Sequence, residues 1–346
     1  MVKLSVLMPV YNGEHYLRET MQSILRQTFT DFEFLVVDDG STDNTPEIIG
    51  SFDDPRIRRI ENPERLKLSG ALNRGMKEAT GQYIARMDAD DIALPQRLQR
   101  QIEYMEQHPE VGLCGTAIEI FGKGKIRKDI YPTTSDAIRT YALVDSPFCH
   151  PTVMMRRELF IKHDLWYDGG YYPTEDYELW ARATALFPTA NLDEVLLRYR
   201  VHDNSMTCSD WDEMDRQAAR IIQGLLKKLA IEFTEKELTL HRNIGRGRSC
   251  CCSMEEICKA DIWLRKLFTC NEQKKHYEQR ALSSLLSLVW YRLCLNNSSY
   301  GLRMLTKYTA GSQVKTDPMR WKRSAMLFLS IMKNTIFQTE VTGIHG

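Results

Sequence analysis

The chain predicts an α/β protein: a mostly parallel sheet with helices on both faces, followed by a separate helical region. Three observations carry this. Apolar runs alternate with segments of helical periodicity from Leu4 to Phe121. The strand-like runs are nearly continuous, as expected where both faces of a strand are covered. Beyond Ser209 the alternation stops and only helical stripes remain.

Leu4 to Val10 (LSVLMPV) opens as a buried strand, and Leu17, Met21, Ile24 and Leu25 then fall at helical spacing within 14–27. Phe32 to Val37 is a second strand, ending on Asp38-Asp39-Gly40-Ser41. Thr45 with Pro46 marks a helix start, Thr45 being the expected N-cap. Strands are expected at Arg56–Ile60, Tyr83–Met87 and Val111–Phe121, and helices at Ser69–Ala79 and from Pro95 to a stop at Pro109. The rhythm loosens after Gly124. A strand is expected within His150–Met155, a helix over Tyr177–Phe187 and a strand at Val195–Tyr199. From Ala218 to Leu229 an apolar stripe marks a helix, and Thr234 with Glu237 forms a capping box for the next. Two further helices cover Gln279–Leu295 and Met319–Phe337. The expected domains are 1–210 and 211–346.

Over the whole chain 46 basic and 46 acidic residues cancel, but the two parts differ in sign. Residues 1–210 hold 24 Lys/Arg against 33 Asp/Glu, and residues 211–346 hold 22 against 13. An acidic α/β part and a basic tail without a recognisable module argue against nucleic-acid binding. No apolar stretch reaches the length of a membrane span, and the N-terminus lacks a signal peptide's apolar core, so the protein is expected in the cytoplasm. Nine cysteines without a Cys-x-x-Cys pair read as free thiols in a reducing compartment, not as a zinc site.

The chemistry gathers at strand ends, where open α/β sheets bind their ligands. Tyr83–Met87 runs into Asp88-Ala89-Asp90-Asp91, three carboxylates in four positions. Unpaired carboxylates at a core strand's tip need a cation, hydrogen-bond donors or water. They read either as a divalent-metal site bridging to phosphates or as a solvated turn capping the next helix. Tyr11, after Pro9, offers a face for a nucleobase, and the Gly40 turn lets backbone approach a ribose. There is no Walker loop, Gly122-Lys123-Gly124-Lys125 not being one, and no G-x-G-x-x-G after the first strand. A metal is then the natural counter-ion for phosphates.

Taken in order, PVYNGEHYL, LVVDDGSTDNT, ALNRGMKEATGQYIARMDADD, the following PxRLxxQ and TEDYELW resemble a family 2 glycosyltransferase of the GT-A (nucleotide-diphospho-sugar transferase) fold, over residues 3–210. The resemblance implies that Pro9 and Tyr11 pack on the donor base, Asp39 hydrogen-bonds it and Asp88 touches the ribose. It implies that Asp90 holds Mg²⁺ or Mn²⁺ against the donor diphosphate, that Lys67 or Arg74 reaches the phosphates, and that Asp176 is the base. Glu175 would hold the acceptor or orient that base. His202 reads either as a group near the metal or as a surface histidine. Trp180 reads as a sugar-stacking ring or a core tryptophan, and His150 as acceptor-side or structural. Asp38 is expected to stabilise its turn, and Asp91 to cap the following helix.

The implied activity is inverting, metal-dependent transfer from a nucleotide-diphosphate sugar, a UDP-sugar by expectation, to a saccharide or lipid-linked oligosaccharide acceptor in cell-surface polysaccharide synthesis. The carrier could also be thymidine or guanosine. A sugar-phosphate nucleotidyltransferase would need a glycine-rich basic loop where Tyr11-Asn12-Gly13-Glu14 stands, and a non-catalytic module would not need both Asp90 and Asp176. The basic helices of the tail either lie on an anionic membrane surface, placing the protein peripherally at its inner face, or pack on one another and on the acidic part.

Overall fold

The computed structural model describes residues 2–203, 211–247, 252–311 and 319–342, with 334–342 described by backbone alone. The elements of the α/β part are β1 (Leu4–Val10), α1 (Leu17–Leu25), β2 (Phe32–Asp38), α2 (Thr45–Gly50), β3 (Ile57–Glu61), α3 (Lys67–Glu78), β4 (Tyr83–Arg86), β5 (Ile92–Ala93), α4 (Arg97–Gln107), β6 (Leu113–Gly122), β7 (Arg127–Asp129), α5 (Ser135–Tyr141), β8 (Met154–Arg156), α6 (Arg157–Lys162), α7 (Glu175–Ala183) and β9 (Thr189–Val201). They form one sheet in the order β3-β2-β1-β4-β8-β6-β9-β5, with β7 paired to β6. The first four strands are parallel. The rest is mixed: β8 runs antiparallel to β4 and β6, β9 parallel to β6, and β5 antiparallel to β9.

Alternate residues of β1 feed two cores. Leu4, Val6, Met8 and Val10 meet Met21 and Ile24 of α1 and Leu98, Ile102 and Met105 of α4. Leu7 faces the other way, with Leu72 and Met76 of α3, Phe160 of α6 and Leu179 and Trp180 of α7. Both faces are thus covered, which is why these strands read as unbroken apolar runs. Gly81 lets α3 return to β4: a Cβ there would lie 2.5 Å from the Ser5 backbone nitrogen.

Helix α1 starts three residues later than the sequence suggests because its approach is bound elsewhere. The Gly13 N–H donates to Thr45 Oγ1 (2.8 Å) and the Glu14 N–H to Asp43 Oδ2 (3.1 Å). With its hydroxyl so engaged, Thr45 is the first residue of α2 and Asn44 takes the cap position. The strand expected from His150 begins only at Met154, after a 3-10 turn over His150–Thr152.

The chain divides into two compact units, Met1–Ala142 with Ser146–Ile221, and Leu143–Asp145 with Ile222–Gly346. The boundary expected near residue 210 lies outside the described residues. Helix α8 (Trp211–Lys228) contributes to both units. Among its described residues the second unit holds helices and no strand: α9 (Glu235–Gly245), α10 (Met254–Lys274), α11 (Gln279–Asn296), α12 (Leu302–Ala310) and α13 (Arg320–Thr342). Thr234 and Glu237 form the expected capping box on α9, and Ser253 with Glu256 forms another on α10. In its core, His241 Nε2 donates to the Leu143 carbonyl (2.7 Å) while Nδ1 accepts from the Trp263 indole (2.9 Å). Burial holds this imidazole below its ordinary pKa, so it is neutral and fully bonded.

Candidate active site

A cleft of about 760 Å³ opens at the carboxyl ends of β1, β2 and β4. Pro9, Tyr11, Asp39, Asp88, Asp90 and His202 all line it. Its walls are set by loop-to-loop hydrogen bonds that use the polar residues of the second motif. Asn12, at φ +52°, accepts the Thr42 N–H on its side-chain oxygen (2.8 Å), and its own N–H donates to Ser41 Oγ (3.0 Å). Asp38 Oδ1 accepts the Ser41 N–H at 3.0 Å, the turn-stabilising role expected of it. Asp39 is buried, and its Oδ1 accepts from Asn62 Nδ2 (2.6 Å) and the Leu66 N–H (2.8 Å). Asn62 is held in turn by Arg74 (2.5 Å), which also donates to the Glu61 carbonyl (2.8 Å). Arg74 is therefore a brace of the Asp39 turn, not a cleft residue, whereas Lys67, at φ +59°, does line the cleft. The Arg65 guanidinium lies 3.8 Å over the Tyr11 ring centroid.

At the tip of β4 one oxygen each of Asp88, Asp90 and Asp91 lies within 4.8 Å of the others. Asp88 pairs with Arg86, whose side chain is almost wholly buried. Desolvation lifts the Asp88 carboxyl above its ordinary range; Arg86 opposes that rise and Asp90 adds to it. Asp90 Oδ2 meets His202 Nε2 at 2.9 Å, and the His202 ring packs on Tyr16 with centroids 4.9 Å apart. Asp91 does not cap α4, whose cap residue is Gln96. It is fully buried, and its Oδ1 accepts the Arg200 N–H (2.7 Å), fastening the segment that carries His202. Arg200 Nε also donates to the Asp90 carbonyl (2.7 Å).

The PxRLxxQ motif explains how the tip is held. Arg97, fully buried, donates from Nη2 to the Arg86 carbonyl (2.7 Å), and Gln101 Nε2 donates to the carbonyls of Cys114 (3.0 Å) and Thr152 (2.9 Å). Burial and the neighbouring Arg86 charge bring Arg97 down to about 10.

The donor set suits a hard divalent cation: three carboxylates and an imidazole converge, and the buried Asp91 Oδ2 has no hydrogen-bond partner among the described residues. Asp90 and His202 are the side chains that would hold it.

The Thr174-Glu175-Asp176 element sits at the start of α7. Glu175 is 2% exposed and its Oε2 has no hydrogen-bond partner among the described residues. Burial first, and the adjacent Asp176 second, push its carboxyl up to about 7, with Arg86 opposing and Asp88 adding to the rise. Asp176 is partly exposed. Tyr167 ties the two ends of the site: desolvation raises its phenol, Arg86 lowers it, and Asp176, Glu175 and Asp88 raise it further. Asp88 at the tip of β4 thus acts on Glu175 at the start of α7, although neither Glu175 nor Asp176 lines the cleft that holds Asp88 and Asp90.

His150 is half-buried, its Nε2 2.9 Å from the Tyr167 hydroxyl, and desolvation with the Arg86 charge holds its imidazole well below the ordinary value. Trp180 corrects the sugar-stacking expectation. It is wholly buried, with Phe148, His150 and Tyr167 packed edge-to-face with it at centroid distances of 5.9, 5.9 and 6.1 Å. No face is left for a sugar.

Sequence reasoning passed over Arg65, Arg86 and Arg200. Arg200 stood beside the singled-out His202, and Arg86 was a charge inside an apolar run, a signal in itself because buried arginines are rare unless paired.

A mixed sheet carrying an acid-rich strand tip beside a cleft places the chain in the GT-A, or nucleotide-diphospho-sugar transferase, fold class. Comparison with known proteins narrows it. Residues 5–164 match the model of "Glycosyl transferase family 2". The amylovoran biosynthesis glycosyltransferase AmsE of Erwinia amylovora is 36% identical over 202 residues, 57% of this chain and 75% of that protein. The UDP-Glc:alpha-D-GlcNAc-diphosphoundecaprenol beta-1,3-glucosyltransferase WfgD of Escherichia coli is 29% identical over 62% of this chain and 83% of its own length. Among solved structures, S. aureus TarS 1-349 in complex with UDP-GlcNAc shares the fold with a TM-score of 0.57 at 19% identity, covering 86% of this chain and 91% of that one. The chain belongs to glycosyltransferase family 2, and it is a glycosyltransferase.

Proposed function

We propose that this protein is an inverting, metal-dependent glycosyltransferase that moves a sugar from a UDP-sugar to a hydroxyl of a saccharide or lipid-linked oligosaccharide, in cell-surface polysaccharide synthesis. The observation that carries the reading is the cleft bearing Tyr11, Asp39, Asp88, Asp90 and His202 at the carboxyl ends of β1, β2 and β4, with Glu175 of the Glu175-Asp176 pair in the same unit and feeling the Asp88 charge. The likeness to WfgD, whose name specifies UDP-Glc and a diphosphoundecaprenol-linked sugar, supports a uridine carrier and a lipid-linked acceptor.

In this reading Pro9 and Tyr11 receive the base. Both bonds already accepted by Asp39 fall on Oδ1, so Oδ2 is the oxygen that receives the base N–H. Asp88, oriented by Arg86, takes the ribose hydroxyls. Asp90 and His202 would hold Mg²⁺ or Mn²⁺, which would supply positive charge beside the departing diphosphate. Asp176, the more exposed of the carboxyl pair, removes the proton of the acceptor hydroxyl as the new bond forms. One base opposite the leaving group gives a single displacement with inversion. Glu175, buried and adjacent to Asp176 in the chain, orients that base, and His150 fixes Tyr167 at the acceptor side. Catalysis is assigned to residues 1–210, and the basic helical part, 211–346, to peripheral contact with the inner face of the cell membrane. Among the described residues no helix is long and apolar enough to cross a membrane.

A thermal-shift panel of nucleoside diphosphates with and without Mn²⁺ tests the donor half. UDP is expected to raise the melting temperature in a Mn²⁺-dependent way. If none of the nucleotides shifts it, the assignment of the cleft fails.

A further inference from the structure

We propose that the outward stripe of α13 docks on an anionic lipid bilayer. This deepens the reading of a peripheral enzyme by naming the surface, and it rests on that reading only for its purpose.

The helix has two apolar rows. Leu327 and Ile331 are buried within the helical unit, where α13 packs on α11, α12 and the 298–300 turn, and Ser330 Oγ lies 3.1 Å from Ser298 Oγ. That row suffices to seat the helix. Trp321, Ala325, Phe328, Leu329 and Met332 recur at i, i+4, i+7, i+8 and i+11, so they share a second face. All five are exposed, Trp321 at 76% and Leu329 at 65%. A solvent-facing row of a helix ordinarily carries charge, and a contiguous apolar surface marks a contact site.

Charge selects the occupant. Lys322 and Lys333, both exposed, run along one edge of the stripe, and Arg320 stands at its start with its guanidinium 5.2 Å from the Trp321 ring centroid. No Asp or Glu occurs between Asp317 and Glu340. A second copy of the same face would bring like cations together, whereas anionic headgroups neutralise them while the apolar row enters the acyl boundary. Tryptophan at the polar edge of such a helix matches the chemistry of the interface. The helix is not apolar enough to cross, so it lies in the plane of the surface.

The test uses the full chain with phosphatidylglycerol–phosphatidylcholine vesicles against pure phosphatidylcholine vesicles, without donor or metal. The chain is expected to float with the anionic vesicles at low salt at least about ten-fold more than with the neutral ones, and to be released at high salt. The double variants F328D/L329D and K322E/K333E should each lose flotation by about the same factor while keeping the parent's melting temperature, since all four side chains are exposed. No flotation at low salt overturns the proposal, as does flotation by either variant equal to the parent's. A concentration-dependent dimer that F328D/L329D dissolves would make the face a contact between copies, and also overturns it. Because no nucleotide is present, failure here leaves the donor site standing, and failure of the nucleotide panel leaves this surface standing.

Discussion

Glu175→Gln should change how stability depends on pH. The folded chain holds this carboxyl at about 7, against an ordinary 4.5, because it is buried and sits beside Asp176. Below about pH 4.5 folded and unfolded chains both carry the proton, and above about pH 7 neither does. Between those limits the folded chain keeps a proton that the unfolded chain has released, so the parent loses stability as pH rises through the window. A rise of about 2.5 units at about 1.36 kcal/mol each amounts to roughly 3 kcal/mol. The glutamine is neutral throughout and escapes the loss. Thermal melts of parent and variant, taken at steps from about pH 5 to about pH 8, read this as a difference in slope. The variant should gain on the parent by roughly 6–12 °C across the range, at about 2–4 °C per kcal/mol for a domain of this size. Other titrating groups, histidines included, are common to both proteins and cancel. Parallel curves would refute the reasoning: Glu175 would then be ionised and solvated, and not a buried acid beside the base.

Four further substitutions have expected outcomes. Asp176→Asn should lower kcat by about 10²–10⁴-fold with donor binding unchanged, whereas Asp90→Asn should remove the Mn²⁺-dependent part of UDP stabilisation; an Asp176→Asn enzyme turning over at the parent rate would dismiss the base assignment. Arg65→Ala should tighten uridine binding about two- to five-fold by calorimetry, since a base stacking on Tyr11 no longer displaces a cation–π contact worth about 0.5–1 kcal/mol; weaker binding would mean the guanidinium stays on the bound base. Gly81→Ala should cost about 3 kcal/mol in urea unfolding, because the new Cβ meets backbone atoms of Leu4 and Ser5 at 2.5–2.9 Å; a loss under about 1 kcal/mol would show that β1 and β4 can separate there.

The parallel half of the sheet was legible because each of its strands is an apolar run and each connection a periodic helix. The mixed half was not. Strands of two or three residues, Ile92–Ala93 and Arg127–Asp129, have no room to show a period, and their pairing is imposed by β9 and β6. β9 was seen only in its later part, Val195–Tyr199, because Asp193 and Glu194 interrupt its apolar pattern where the register with β6 shifts at Thr116/Ala117. For the site, residue type was legible and burial was not. Trp180 and Asp91 carry chemistry that suits a ligand, yet the fold closes over one ring and turns the other carboxylate onto the Arg200 backbone. Nothing in the local pattern of either residue distinguishes those fates.

The two buried arginines show why an acid-rich tip can end a core strand at all. Three carboxylates at the end of β4 and two more at the start of α7 would repel one another in a poorly solvated place, and each alone would take up a proton. Arg86 answers this from inside the strand. Its charge is drawn on by Asp88, and it opposes the upward shift of Glu175 from the other side of the site. Arg97 adds a second positive charge two residues after the Leu94-Pro95 turn and grips the Arg86 carbonyl, so the strand tip cannot fray. Arg86 has little freedom to answer a new neighbour, since its side chain is 1% exposed. The adjustable part of the charge balance is therefore on the open side, where Asp90 meets His202 within the cleft, and that is where a cation would complete it. The same residues that make the tip tolerable to the fold leave the Asp90–His202 pair, within the cleft, as the part of the tip open to a cation.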